Sequence, residues 1–342
     1  MTANPILIEA RRGGGRESLH RGALAVWSIE EGLTAALGEV DRAVPPRSAV
    51  KALQAIPLIE CGAADAFGLE QRHLALACAS HSGAPAHVEG VQEMLARSGL
   101  DEGALACGSH WPLGTAEAHA LARAGQSPRP VHNNCSGKHA GMLACAVRRG
   151  LDPHGYERVD HGVQAAIAEV LEALTGAPHR ADEAAVDGCS VPTWPVPLMA
   201  LARAFARFAS GAEMTPERAE ACRRLREACF AEPFMVAGRK RFCTRAMRLL
   251  GNRAFIKGGA EGVYCIGLPD RGIGVAIKID DGAKRAAEAV AAAALAALLP
   301  DERETVGAAW DFRLFNWRGI EVGALAATPA LEAALHAAPI AH

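Results

Sequence analysis

Aromatic residues and lysines are scarce in this chain of 342 residues. Phe, Trp and Tyr together make up 5% of the sequence, and only six of its 36 basic residues are lysines. The formal net charge is −2, with acidic and basic residues interspersed along the chain. Because no continuous positive stripe is available to bind a phosphate backbone, the sequence predicts no nucleic-acid partner.

Long apolar runs and paired cysteines are missing as well. The N-terminus lacks the basic start and apolar run of a secretory signal, and the most apolar stretch, 286–299, is too short to span a bilayer. The ten cysteines show neither regular spacing nor a CxxC pair, which is typical of free thiols in a reducing compartment. We therefore expect a cytoplasmic protein with no membrane partner.

The apolar pattern divides the chain into strand-like ends and a helical middle. β-Branched and alternating residues predict strands within about 4–28 and 253–280, followed by a helix at 282–299. Helical periodicity runs through about 47–250. Because an isolated hairpin is only marginally stable, one antiparallel sheet built from both ends of the chain is the economical solution. The predicted fold class is mixed α/β (α+β), and 1–342 forms a single catalytic unit.

Within the helical middle, periodicity and end signals define individual helices. They are predicted near 47–57, 69–78, 86–98, 115–124, 137–148, 156–173, 196–209 and 215–230. The glycine run between Arg12 and Arg16 is a hairpin turn. It is not a phosphate loop, since the Gly-Lys-Ser/Thr ending and a following helix are absent.

Ser48 and Lys51 form the first candidate catalytic pair. They stand three residues apart just after Pro45 and Pro46, which favour a helix start, so both side chains should share one helix face. A lysine amine beside a hydroxyl can accept its proton, and a helix N-terminus favours the developing anion. The alternative is an ordinary helix start with a solvated lysine.

Two further segments complete a known order of motifs. Ser80 lies in a run of small polar residues at the end of an apolar helix, and Lys257 lies on a predicted strand just before two glycines. An SxxK helix, a serine-containing loop and a Lys-Thr-Gly strand follow one another in this order in serine β-lactamases and penicillin-binding proteins. Here Lys-Gly-Gly replaces Lys-Thr-Gly, and the second motif lacks its usual Asn.

A dense polar segment at 131–141, VHNNCSGKHAG, opens a helix after a proline-rich loop, and Asp187-Gly-Cys189 follows about fifty residues later. Polar residues at this density favour a functional site. The alternative is an N-cap by Ser136 with two structural cysteines.

Taken together, five sequence motifs resemble those of the rhizobial-type L-asparaginases. They are RSxxK at 47–51, ASHSG at 79–83, HNNCSGKH at 132–139, VDGCSVP at 186–192 and KGGAEGVY at 257–264. The motifs occur in the family's order, and the resemblance runs from about Pro5 to Ile320. It implies a fold like that of serine β-lactamases and glutaminases, and a homodimer.

The resemblance also implies roles for individual residues. The two Ser-Lys pairs of the family correspond to Ser48 with Lys51 and Ser80 with Lys257, the two serines facing each other. A Zn²⁺ cofactor would be held by Cys135, Lys138 and Cys189. The substrate pocket would involve Arg47, Asn133, His139 and Asp187.

The expected reaction is hydrolysis of L-asparagine to L-aspartate and ammonia through a serine acyl-enzyme. Within the same class, a glutaminase or a β-lactam or peptide hydrolase is the alternative, because pocket depth is not readable from sequence. In a different class, the cysteines could hold a purely structural zinc. A closed structural site normally takes four Cys or His ligands, and three candidates that include a lysine favour an open, functional site instead.

Overall fold

The computed structural model describes residues 3–338, so the ends of the predicted 1–342 unit lie outside the described residues. Contacts divide the chain into two compact units. Unit 1 comprises the described parts of Met1–Ala49, Val196–Ala212 and Ala246–His342. Unit 2 comprises Val50–Pro195 and Glu213–Arg245.

The strands are β1 Ile6–Arg12, β2 Gly15–Ser28, β3 Gly32–Leu37, β4 Ala43–Val44, β5 Ala185–Val186, β6 Pro192–Thr193, β7 Val196–Pro197, β8 Phe255–Gly258, β9 Val263–Leu268, β10 Ile273–Ile279, β11 Arg313–Phe315 and β12 Glu321–Ala327. The helices are α1 Lys51–Gln54, α2 Ile56–Glu60, α3 Ala63–Ala66, α4 Gln71–Ala77, α5 Pro85–Arg97, α6 Thr115–Arg123, α7 Ser136–Arg148, α8 Gly162–Thr175, α9 Leu198–Ser210, α10 Pro216–Ala231, α11 Pro233–Ala237, α12 Phe242–Leu250, α13 Lys284–Leu298, α14 Arg303–Ala309 and α15 Pro329–Ala337.

Short 3-10 turns connect several of these elements. They span Arg47–Val50, Glu102–Ala104, Pro130–His132, Ala181–Glu183, Gly251–Arg253, Pro269–Arg271 and Pro300–Glu302. Among the residues described, no helix is long and apolar enough to cross a membrane.

Unit 1 is built around an eight-stranded antiparallel sheet. The order is β11-β12-β1-β2-β10-β9-β8, with β3 also paired to β2. Strand β2, from the start of the chain, pairs with β10, from near its end, and Val26 lies opposite Val275. The predicted sheet assembled from both ends of the chain, and with it the mixed fold class, is confirmed.

Helices cover both faces of this sheet. Helix α9 packs on β2, β9 and β10, and two glycines permit a close approach. A methyl group at Gly267 would lie 2.8 Å from Ala209 Cβ, and one at Gly274 would lie 3.0 Å from Ala206 Cα. On the other face, Tyr264 donates a hydrogen bond from its hydroxyl to Glu288 of α13 at 3.2 Å. Because neighbouring side chains alternate between faces of a strand, α9 and α13 enclose the sheet as a layered core.

Three strands of this sheet were not predicted. Strand β3 follows the hairpin, and β11 and β12 extend the sheet beyond β1 on the far side from β8. Strand β12 has the sequence EVGALAA, in which Ala and Gly provide little β propensity. Its pairing with β1, which sets Ala326 opposite Glu9, is a tertiary contact that the local sequence does not signal.

Unit 2 is a helical assembly in which α4, α5, α7 and α10 pack on one another. Helix α7 is buried from Ser136 to Ala146 without interruption. A methyl group at Gly137 would lie 2.7 Å from Leu76 Cγ, so glycine allows α4 to approach the first turn of α7 closely. This packing fixes the segment that carries the predicted cysteine, lysine and histidine.

Candidate active site

Lys51 is fully buried at the start of α1, directly after the 3-10 turn Arg47–Val50. Its Nζ lies 2.6 Å from the carbonyl oxygen of Ala79 and 3.1 Å from Ser80 Oγ. Both the backbone oxygen and Oδ1 of Asn134 lie 3.3 Å from the same nitrogen. The first predicted catalytic lysine is therefore next to the second predicted catalytic serine.

The chemistry of these partners limits what Lys51 can do. Three of the four neighbouring atoms are carbonyl oxygens, which only accept hydrogen bonds, whereas the Ser80 hydroxyl can also donate. A neutral amine has two N–H donors and one lone pair. In the structure Lys51 Nζ donates to Ser80 Oγ and to the carbonyl oxygens. Only in the neutral form would its lone pair be able to accept a proton from a neighbouring hydroxyl.

The backbone around Ser80 is held from two sides. Ser80 N donates to Val236 O at 2.9 Å, and His81 N donates to Asn134 O at 3.2 Å. The His81 ring continues the network, since its Nε2 lies 2.9 Å from Ser136 Oγ. Ser80 thus sits on a short extended segment whose position is fixed by backbone bonds.

In unit 1, Lys257 and the Ser48 turn belong to adjoining segments. Lys257 is buried on β8 and donates to Gly258 O at 2.9 Å. A methyl group at Gly259 would lie 2.9 Å from Pro46 O and 3.1 Å from Ala49 N, so the end of β8 rests directly on the turn that carries Ser48. The lysine strand and the serine turn are packed together, as a shared site requires.

Strained backbone occurs beside two of the predicted site residues. Arg47, directly before Ser48, has φ 51°, and Ser190, directly after Cys189, has φ 77°. Non-glycine residues rarely adopt positive φ, and such strain clusters at functional sites. Both outliers support a role for the loops that carry them.

Cys135, Lys138 and Cys189 converge in unit 2. Lys138 Nζ lies 3.1 Å from Cys189 Sγ, which in turn lies 3.5 Å from Asp187 Oδ2. Cys135 and Cys189 are close enough to shift each other's pKa in opposite directions. Cys189 and Asp187 are presented by the turn between β5 and β6, where Asp187 N donates to Val191 O at 2.9 Å.

This cluster separates charge between its members. The hydrogen bond from Cys189, together with the positive charge of Lys138, lowers the pKa of Cys135 well below its ordinary value despite burial. The same bond and burial raise the pKa of Cys189. Burial opposes the charge on Lys138, but Cys189, Cys135 and Asp187 outweigh it, so the pKa of Lys138 is raised. Both shifts favour the charged forms of Cys135 and Lys138.

Two thiols and an amine are a donor set that fits zinc, because thiolate sulfur favours zinc over magnesium or calcium. Within the described part of the chain, no group of three or more His, Cys, Asp or Glu residues is arranged to hold a metal ion. A metal here would therefore need the Lys138 amine as a ligand, in its neutral form.

Asn134 links the two clusters and was missed by the sequence analysis. Its Oδ1 accepts from Lys51 Nζ at 3.3 Å and from Cys135 Sγ at 3.2 Å. Its backbone N–H donates to His110 Nε2 at 3.0 Å. The only sequence signal for Asn134 is its place beside Asn133 in the polar segment at 131–141.

Asn133 uses its side chain to brace a loop. Nδ2 donates to Cys107 O at 2.7 Å and to Gly108 O at 3.1 Å, and Oδ1 accepts from Cys135 N at 2.8 Å. His139 is fully buried, with Nδ1 2.5 Å from Tyr156 OH. Its Nε2 is buried and has no hydrogen-bond partner among the described residues.

The sequence matches the L-asparaginase II family over residues 8–327. No curated protein matches it. One solved structure, described as Mglu in its native form in the presence of 4.3 M NaCl, is similar, with a TM-score of 0.39 and 15% sequence identity. The similarity covers 83% of this chain and 61% of that one, so the chain spans about three fifths of that protein's length.

The chain has a sheet flanked by helices and a buried lysine, Lys51, next to the hydroxyl of Ser80. The chain belongs to the L-asparaginase II family, and the family predicted from its motifs is confirmed.

Proposed function

We propose that the protein hydrolyses L-asparagine to L-aspartate and ammonia through a serine ester. The proposal is supported by family membership over 8–327 together with one observation, a buried lysine amine 3.1 Å from a serine hydroxyl and otherwise surrounded by carbonyl oxygens.

In the proposed mechanism, neutral Lys51 takes the proton of Ser48 as Ser48 Oγ attacks the side-chain carbonyl carbon of asparagine. The C–N bond then breaks, ammonia leaves with a proton, and a β-aspartyl ester remains on Ser48. Water next attacks the ester, the C–O bond to Ser48 breaks, and aspartate is released while Ser48 regains its proton.

Ser80 and Lys257 are proposed to move the proton to the departing ammonia. The 3.1 Å separation between Lys51 Nζ and Ser80 Oγ supports this role, because a proton accepted by Lys51 can pass to Ser80 without rearrangement. Ser80 is also a candidate nucleophile by the same contact. Identifying which serine becomes esterified is therefore the decisive test of the assignment.

The oxyanion that forms during attack needs backbone donors. We propose the N–H of Ser48 and one from the end of β8, the segment that packs on the Ser48 turn through Gly259. Each such donor typically lowers the barrier by ~3 kcal/mol. Arg47, Asn133, His139 and Asp187 are proposed to shape or contact the substrate pocket.

Zinc is proposed as a cofactor held by Cys135, Lys138 and Cys189. When bound, it would supply positive charge and an open coordination position that can tune substrate binding. The connection to Lys51 runs through Asn134, whose Oδ1 contacts both Lys51 and Cys135. The serine and lysine chemistry needs no nucleophile from the metal.

A glutaminase remains the alternative within the same class, since asparagine and glutamine differ by one methylene. A cytoplasmic location and a homodimer are further proposals that rest on the sequence motifs.

The test is ammonia release from L-asparagine and L-glutamine in parallel, by the wild type and by the Ser48→Ala variant. We expect release from asparagine that exceeds release from glutamine and that is abolished in Ser48→Ala without loss of thermal stability. Release from neither amide would overturn the proposal, and faster release from glutamine would reassign the substrate.

A further inference from the structure

A second polar cleft lies in unit 2, outside the residues assigned to the reaction. Its volume is about 310 Å³, at the small end of ligand pockets, which span ~300–1,000 Å³. It is lined by Ser82, by the start of α6 from Leu113 to Glu117, and by the segment Gly238–Arg241. We call it the Ser82 cleft.

Two buried polar side-chain atoms line the Ser82 cleft without a hydrogen-bond partner among the described residues. Ser82 Oγ and Arg241 Nε are buried, and within the described chain neither has a hydrogen-bond partner. Ser82 as a whole is only 7% exposed. Because buried polar groups in folded proteins are almost always hydrogen-bonded, two orphans in one cleft indicate that a ligand supplies the missing partners.

Two glycines keep this wall open around Ser82. Gly238 has φ 112°, and a methyl group there would lie 2.8 Å from Ser82 Cβ. A methyl group at Gly114 would lie 3.2 Å from the same atom. A side chain at either position would fill the space beside the hydroxyl, so the glycines preserve access to it.

The charges around the cleft favour a ligand of mixed sign with an excess of negative charge. Arg239, Lys240 and Arg241 contribute three basic groups, whereas Glu117 contributes one acidic group. The first turn of α6 adds backbone N–H groups and the positive end of the helix dipole. Two carboxylates and one ammonium, as in an acidic amino acid, match this pattern.

We propose that the Ser82 cleft binds an acidic amino acid. Its carboxylates are held by Arg241 and the first turn of α6, and its ammonium by Glu117. The choice of L-aspartate as the ligand rests on the proposed function, because aspartate is the product of that reaction.

Binding here can act on the catalytic segment through the backbone. Ser82 stands two residues after Ser80, and Gly238 stands two residues after Val236, whose carbonyl accepts the Ser80 N–H at 2.9 Å. A ligand that bridges Ser82 and the Gly238–Arg241 segment therefore restrains both sides of the pair that positions Ser80. Product bound in the Ser82 cleft would therefore act on the position of Ser80.

Calorimetric titration with L-aspartate tests the site directly. The proteins are the wild type, Arg241→Gln, Lys240→Gln and the matched control Arg123→Gln, which removes an exposed arginine from the other end of α6. We expect the wild type and the control to bind two aspartates per chain, one in each site. Arg241→Gln should lose the second site or bind there at least ~10-fold more weakly, and Lys240→Gln should weaken it to a smaller extent.

The outcomes separate this proposal from the proposed reaction. If Arg241→Gln and Lys240→Gln bind aspartate like the wild type, the Ser82 cleft is not the site. If the wild type binds one aspartate and Arg241→Gln binds none, the Ser82 cleft is the binding site. Product binding at the serine site is then contradicted. Succinate, which lacks the ammonium group, should bind the cleft more weakly than aspartate, and equal affinity would overturn the role of Glu117.

Discussion

Replacing Lys51 by methionine removes the buried amine on which the proposed proton transfer depends, while keeping an unbranched side chain of similar length. Loss of a general base typically lowers turnover by ~10²–10⁴-fold. We therefore expect ammonia release from asparagine to fall by at least ~10²-fold. Lys51→Arg should be as damaging, because a guanidinium cannot give up its proton at working pH.

The structure allows the stability cost of Lys51→Met to be worked out. Asn134 O keeps the hydrogen bond from His81 N, and Asn134 Oδ1 keeps that from Cys135 Sγ. Ala79 O, 2.6 Å from the lysine nitrogen, loses its donor, and the Ser80 hydroxyl loses its contact with that nitrogen. One unsatisfied carbonyl costs ~1–3 kcal/mol. The variant should therefore fold, and its loss of activity should far exceed its loss of stability.

The assay combines steady-state ammonia release with urea unfolding of the same preparations. Lys284→Met serves as the control, since Lys284 is exposed and lies outside the candidate site. Turnover by Lys51→Met or Lys51→Arg within ~10-fold of the wild type would refute the general-base assignment. If Lys51→Met does not fold, the stability cost estimated from the lost hydrogen bonds is wrong.

Three further predictions address the metal, the pH dependence of stability and the sheet. Protein purified without chelator should contain about one zinc per chain, which Cys135→Ala or Cys189→Ala should lose; elemental analysis that finds no zinc in the wild type contradicts this. Burial lowers the pKa of His87, whose two hydrogen bonds hold a neutral ring. The unfolded chain therefore binds the extra proton, and stability falls as pH drops below about 6.5. His87→Gln should make this dependence less steep in urea unfolding between about pH 7.5 and 5.5, although other buried histidines keep their share of it, and an unchanged slope counts against the assignment. Gly274→Ala would push a methyl group into the backbone of α9, where it would clash with Ala202 O and Ala206 N, and should lower the unfolding free energy by at least ~1–3 kcal/mol, whereas wild-type stability would show that α9 can move away.

Periodicity and helix-end signals predicted the main elements. The helices predicted near 86–98 and 137–148 are Pro85–Arg97 and Ser136–Arg148, and the predicted strand at 273–280 is Ile273–Ile279. The sequence did not predict which helices pack on the sheet. Helix α9 lies in the middle of the helical portion of the sequence but packs on the sheet of unit 1, because Gly267 and Gly274 on separate strands create a groove for it.

Several helix starts use a device that the sequence analysis did not recognise. The N-cap backbone N–H donates to Nδ1 of a histidine three residues later at Glu70 with His73, Ala84 with His87, and Arg129 with His132, at 2.9–3.0 Å. These bonds resemble one half of a capping box, with histidine in place of Glu or Gln. An x-x-x-His pattern before an apolar run is therefore a usable helix-start signal here.

The sequence predicted only those parts of the candidate site that lie in recognisable motifs. Spacing pointed to Ser48 and Lys51, whereas the roles of Cys135 and Lys138 were implied by the resemblance to the rhizobial-type L-asparaginases. The contact of Lys51 with Ser80, 29 positions apart, depends on how α4 and the following loop fold back. Spacing along one helix could not supply that contact.

The most direct test of the account is to find the serine that becomes esterified during turnover. The enzyme is mixed with L-asparagine, quenched in acid within the first turnover, digested and mapped by mass spectrometry, with Ser48→Ala and Ser80→Ala in parallel. The account predicts a β-aspartyl ester on the peptide that contains Ser48, present in Ser80→Ala and absent in Ser48→Ala. Ester on the Ser80 peptide alone, or ammonia release with no ester on either serine, would contradict it.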